Sequence, residues 1–178
     1  RIEDIADEIE RIGALAGSRK TADAAAAAFR QQLADLRVRY AARPVVRTFY
    51  EVWYRPLKTV GKHQIISSVI RLCGGENVFD ALEVMAPDVA VEAVLAADPE
   101  AIVASGMGDA RPEWLDDWKA HAGLTAVKRQ NLFFIPPDLI QRHTPRLLDG
   151  AELMCRHLET ARARRSAPTS GSAAAAGH

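Results

Sequence analysis

The sequence lacks any run of about 18 apolar residues, so it contains no stretch long and apolar enough to be a membrane-spanning helix. It also lacks net charge, because 23 Lys and Arg balance 23 Asp and Glu. Without excess positive charge to displace counterions, general nucleic-acid binding is disfavoured. There is no Gly-x-x-x-x-Gly-Lys-Ser/Thr phosphate loop and no Gly-x-Ser-x-Gly elbow. Gly106-Met107-Gly108 has Arg111 where a dinucleotide loop needs a third small residue, so it is a weak nucleotide signal. The histidines His63, His121, His143, His157 and His178 form no His-x-x-x-His pair, and no Cys-x-x-Cys is present. No metal site is therefore expected. Only two cysteines occur, Cys73 and Cys155. Each falls on the apolar face of a helix, either as buried thiols or as one disulfide formed in an oxidising compartment. The chain opens on Arg1 with no apolar signal segment behind it. It is expected to be processed, truncated or a fragment, so its first residues do not report a compartment.

A local absence is more informative. From Leu72 to Ala110 there is no Lys or Arg, while Glu76, Asp80, Glu83, Asp88, Glu92, Asp98, Glu100 and Asp109 all fall there. This is either a solvated acidic face or a docking surface for a basic partner.

What is present suffices for one domain: 178 residues, 48% hydrophobic. Ile2, Ile5, Ile9 and Ile12 recur at helical spacing. A second helix is expected from Ala22 to Ala42, with Phe29, Leu33, Leu36 and Tyr40 as its stripe and a length of roughly 30 Å. Val45–Glu51 reads as a strand followed by a loop to Gly61, then a helix from His63 to Cys73 stopped by Gly74-Gly75. Val91–Ala97 and Glu113–His121 read as short helices, Ala101–Ala104 and Leu132–Ile135 as buried strands. Pro145 opens a last helix through Arg164, with Leu147, Ala151, Met154 and Leu158 as its buried stripe. Residues 165–178 are Ser/Gly/Ala/Pro-rich and are expected to be a disordered tail.

Strands alternating with helices predict an α/β fold with a mainly parallel sheet, in which ligands bind beyond the carboxyl ends of the strands. Three exits then matter: Trp53-Tyr54-Arg55, Ser105–Asp109 with Met107 at its centre, and Pro136-Pro137-Asp138 with Arg142 one turn on. An aromatic pair beside Arg55 suits a flat apolar ligand. Asp138 and Arg142, four apart, can pair with each other or hydrogen-bond a ligand's amides.

Four stretches together carry a resemblance: Phe49–Gly61 with Trp53-Tyr54-Arg55-Pro56, Leu72–Phe79 with Cys73-Gly74-Gly75-Glu76-Asn77, Ala86–Leu95 with Pro87 and Glu92, and Asp138–Arg146 with Arg142-His143-Thr144-Pro145. In order and spacing they resemble the periplasmic cobalamin-binding proteins of ABC importers, in the helical-backbone family that also carries haem and ferric siderophores. The resemblance implies a three-layer Rossmann-like α/β lobe preceded by a long joining helix, with 1–43 as the helical segment and 44–164 as the C-terminal lobe. It implies a cleft wall from Trp53, Tyr54, Arg55, Met107, Asp138 and Arg142, with Glu92 meeting the permease. It implies a bond between Cys73 and Cys155, periplasmic location, no cofactor, cobalamin or a related corrinoid as cargo, and no chemistry on it. A cleft tryptophan of some relatives falls at Ala86, and the N-terminal lobe has no counterpart in these residues. A truncated chain with one wall is expected to self-associate. Haem or siderophore capture is the alternative within the family, and a small α/β nucleotide-dependent enzyme the alternative outside it.

Overall fold

The computed structural model describes residues 1–165; the expected disorder of the tail falls on residues outside that range, except for Arg165, which pairs with Glu100 at 2.7 Å. Helix α1 (Asp4–Leu15) lies against α2 (Arg19–Tyr40). Ile2 and Ile5 are buried, but Ile12 is 57% exposed, so the stripe outruns its partner. The α2 stripe of Phe29, Leu33, Leu36 and Tyr40 is buried throughout. Arg30 reaches Asp7 at 2.7 Å, and Arg37 pairs with Glu3, fastening the two helices at their exposed edges.

Four parallel strands follow in the order β4–β1–β5–β6, formed by Gly75–Asn77, Val46–Glu51, Ala101–Ala104 and Leu132–Phe134. Thr48 lies opposite both Asn77 and Ala101, and Val103 opposite Phe133. Side-chain alternation divides the sheet cleanly. Val46, Tyr50, Ala101, Val103 and Phe133 face α2, α3 (Ile65–Leu72) and α7 (Leu147–Ala163). Phe49, Ile102 and Ala104 face α4 (Val91–Ala97), a 3-10 helix (Glu113–Ala120) and α5 (Thr125–Lys128). Burial on both faces explains why these strands read as apolar runs.

Several elements differ from the sequence reading. Trp53-Tyr54 and Leu57-Lys58 form an antiparallel hairpin, β2–β3, where a loop was expected. The segment Gly75–Asn77, read as part of a helix stop, is a strand. Its residues have low strand propensity; pairing with β1 and the side chain of Asn77 hold it. Asn77 donates to Val60 O at 2.8 Å and Ser67 Oγ at 2.9 Å and accepts from Phe79 N at 3.0 Å. The segment 113–120 is a 3-10 rather than an α-helix, and α5 and α6 (Pro137–Ile140) were not anticipated.

Gly74 ends α3 at φ +69°, a conformation costly for other residues. The freed carbonyls of Cys73 and Gly74 accept from Arg162 at 2.8 and 2.9 Å, and Arg162 also reaches Pro44 O at 2.7 Å. Beside this staple Cys73 and Cys155 are disulfide-bonded, with Cα atoms 4.7 Å apart and a sequence separation of 82. At Gly61 a Cβ would lie 2.0 Å from Val84 O, so only glycine lets the 79–88 segment close over the chain there.

Candidate functional site at the carboxyl edge of the sheet

Because β1, β5 and β6 are parallel, their exits share one edge, and hydrogen bonds join them. Ser105 N donates to Glu51 O at 3.0 Å, Ile135 N to Ala104 O at 3.0 Å, and Gln141 Nε2 to Ser105 Oγ at 2.5 Å. Tyr50, fully buried beneath this edge, has a hydroxyl without a hydrogen-bond partner among the described residues. Burial pushes its pKa up, so it stays neutral.

The hairpin lifts two aromatic rings to the rim. Tyr54 stacks on Trp114 at 5.4 Å and 11°, and Trp53 meets Tyr54 at 5.2 Å and Trp114 edge-on at 6.4 Å. The indole N–H of Trp53 donates to Arg55 O at 2.9 Å, leaving its ring free of other polar duty. The Arg55 guanidinium stands 5.7 Å from the centre of the Tyr54 ring. Such a tier offers apolar area and a flat outline. Trp114 is the member that sequence reading missed. Leu115 and Trp118 carry the buried face of the 3-10 helix, and nothing in its spacing points Trp114 at the hairpin.

The other candidates are placed as follows. Met107 is 85% exposed on the β5 exit loop. Asp138 and Arg142 pair with each other at 3.1 Å while remaining well exposed, so they can exchange one another for a ligand. Glu92 is exposed in the first turn of α4. Within the Lys/Arg-free stretch, Asp80 pairs with Arg71, Asp88 with Lys58, Glu83 with Lys62 and His63, and Glu100 with Arg129 and Arg165. Asp98 accepts from Thr125 N and Oγ1 at 2.8 Å each, and these bonds lower its pKa. Glu76, Glu92 and Asp109 have no ion-pair partner among the described residues. Half of the acidic stretch is thus neutralised by cations from outside it.

Beneath the rings lies Glu51, only 2% exposed, accepting from Trp118 Nε1 at 2.7 Å. Burial raises its carboxyl pKa to about 7; the Trp118 bond opposes that shift and the charge of Asp117 adds to it. Among the described residues no group of three or more His, Cys, Asp or Glu is arranged to hold a metal ion.

A parallel α/β lobe with exposed aromatic and charged side chains on its strand-exit edge has the architecture in which ligands bind at that edge. The comparisons give the family: the profile described as Periplasmic binding protein matches residues 1–139, and the chain belongs to that family. It is 35% identical over 160 residues to the vitamin B12-binding protein of Vibrio cholerae, covering 90% of this chain and 57% of that protein. The crystal structure of the periplasmic vitamin B12 binding protein of Vibrio cholerae superposes with a TM-score of 0.82 at 34% identity, over 90% of this chain and 62% of that one. A structure titled as an ABC-type Fe3+-hydroxamate transport system from Saccharomonospora viridis superposes at 0.74, with 21% identity over 89% and 55% of the two chains, which shows shared fold alone. The chain thus spans little more than half the length of the curated relatives it matches.

Proposed function

We propose that the chain belongs to a periplasmic protein that captures cobalamin and delivers it to the permease of an ABC importer, without chemistry on the ligand. In this reading residues 1–43 carry the inter-lobe helix, and residues 44–164 form one wall of the cleft. The observation that carries it is the 35% identity to a vitamin B12-binding protein over 160 residues. The exposed aromatic tier supports it, because a corrinoid presents a broad flat surface that such rings cover. Trp53, Tyr54 and Arg55 then contact one face of the ligand, Met107 adds a mobile apolar contact, and Asp138 and Arg142 hydrogen-bond peripheral amides. Glu92, exposed and unpaired, docks on basic residues of the permease.

One wall leaves the other ligand face in water, and affinity in such sites depends on enclosing most of the ligand. These 178 residues alone therefore bind cobalamin weakly and self-associate through the open apolar tier. Joined to the N-terminal lobe of a relative, they bind it tightly. Trp53→Ala in that protein weakens binding about tenfold, since burying such a ring is worth about 1.5–3 kcal/mol. Calorimetry with cobalamin and haem tests this. Haem binding without cobalamin binding overturns the ligand assignment, and tight one-to-one cobalamin binding by the monomeric chain alone overturns the two-wall reading.

A further inference from the structure

A second feature lies under the aromatic tier. A cavity of about 180 Å³ opens between the β2–β3 hairpin, the start of α4 and the 3-10 helix. Glu51 lines one side, with one carboxylate oxygen bonded to Trp118 Nε1 and the other without a hydrogen-bond partner among the described residues. Arg55 lines the same cavity, and no ion pair joins it to Glu51 or to any other acid among the described residues. Tyr54, Trp114 and Trp118 supply its aromatic walls, and Asp117 adds negative charge.

This arrangement selects a ligand by charge pattern and size. A buried carboxylate with a free oxygen is costly unless it takes up a proton or a cation or N–H donor meets it, so a cationic N–H group competes with the proton there. Aromatic faces favour an ammonium group and cover a short carbon body. The guanidinium of Arg55 disfavours a simple cation nearby but matches a carboxylate. The volume is below the roughly 300–1,000 Å³ of pockets for drug-sized ligands, so a corrinoid or haem is excluded from the cavity itself. We propose that this cavity binds a small zwitterion of the α-amino acid class, its ammonium on Glu51 and its carboxylate on Arg55. The cavity shares Tyr54 and Arg55 with the proposed cobalamin wall but opens beneath it around Glu51, Asp117 and Trp118, and its test does not depend on that reading.

Asp117 and His121 from the 3-10 helix and Arg55 from the hairpin are the titratable or charged groups lining the cavity with Glu51; α4 contributes Val91. Binding needs ionised Glu51 and is therefore stronger at pH 8 than at pH 6.

Calorimetry and tryptophan fluorescence of the 178-residue chain with L-alanine and L-valine provide the test, with propylamine and propionate as single-charge controls. The amino acids bind at least tenfold more tightly than either control. Glu51→Gln keeps an acceptor for Trp118 and the fold, and loses tenfold or more. Arg55→Ala, an exposed position, loses a similar factor. Three results overturn the proposal: no response to either amino acid at tens of millimolar, propylamine binding as well as alanine, or Glu51→Gln binding like the parent. Because no probe contains a corrin, these outcomes are independent of the cobalamin titration.

Discussion

One face of the sheet is closed by α2, α3 and α7, of 22, 8 and 17 residues, which meet it with hydrocarbon and carry the disulfide between them. The other face is closed by α4 of 7 residues, a 3-10 helix of 8 and α5 of 4. That second face buries Glu51 against Trp118 and leaves a cavity beside them. Short elements rely on tertiary contacts for their form, since few internal hydrogen bonds offset the cost of nucleating them. They also present their ends and side chains to a common edge, where groups can be arranged for recognition. The first face holds the fold together; the second gives up some packing for polar groups that line a cavity.

The largest expected effect tests the first half of that contrast. The disulfide closes a loop whose ends are 82 residues apart, which in the chain-entropy view contributes on the order of 4 kcal/mol. Replacing both cysteines with alanine is expected to lower the urea-unfolding free energy by about that amount, with a larger m-value because the denatured chain without the cross-link exposes more surface. Two free thiols in denatured, unreduced protein made in an oxidising compartment would show that the pair does not form. A loss below about 1 kcal/mol would mean that the long-helix face is not where stability is concentrated.

The second prediction concerns the opposite face and depends on pH. Glu51 has a folded pKa of about 7, above the ordinary carboxylate value of 4.5. The folded state therefore holds its proton more tightly than the unfolded state. Its contribution to stability falls as pH rises from about 4.5 to 7 and then levels off, against an opposite contribution from His157, whose pKa burial lowers. The Glu51 shift corresponds to about 3 kcal/mol at most. Glu51→Gln removes the slope: the variant matches the parent near pH 4.5 and exceeds it by about 2–3 kcal/mol at pH 8. A variant-minus-parent difference that stays flat across this window, measured by urea unfolding, would mean that the carboxyl is better solvated than its burial implies.

The same division governs what was legible in the sequence. On the first face, the stripes Phe29/Leu33/Leu36/Tyr40 and Leu147/Ala151/Met154/Leu158 declare themselves because a long helix repeats its buried face several times. Ile12 is the exception, since a stripe does not say where its partner ends. On the second face the signals are short. Three residues, Gly75-Glu76-Asn77, carry no strand pattern and become a strand through β1. Pro56 makes Trp53–Lys58 look like a loop, although it sits at the turn of a hairpin. Glu51 reads as an ordinary polar residue at the end of a strand, and only the packing of Trp118 over it reveals burial. The strand exits with Trp53, Tyr54, Arg55, Met107, Asp138 and Arg142 were legible because parallel strands must share a carboxyl edge. Trp114 was not, because its partner, Tyr54, lies sixty residues earlier in the chain.

The smallest expected effect on stability tests whether the rim is separate from both faces. Asp138 and Arg142 form an ion pair at 3.1 Å across one turn, but their side chains are 47% and 70% exposed. Water competes for both groups, and exposed pairs contribute about 0–1 kcal/mol. Asp138→Asn keeps the side-chain shape, removes the charge and is expected to change unfolding stability by no more than about 0.5 kcal/mol. If the proposed function holds, the same substitution in this chain joined to a relative's N-terminal lobe is expected to weaken cobalamin binding severalfold, because the amide retains one acceptor but loses the charge that strengthens a hydrogen bond. A stability loss above about 1 kcal/mol would join this pair to the fold. Unchanged cobalamin affinity, with stability also unchanged, would remove Asp138 from the proposed cleft wall and leave the hairpin and its rings as its remaining candidates.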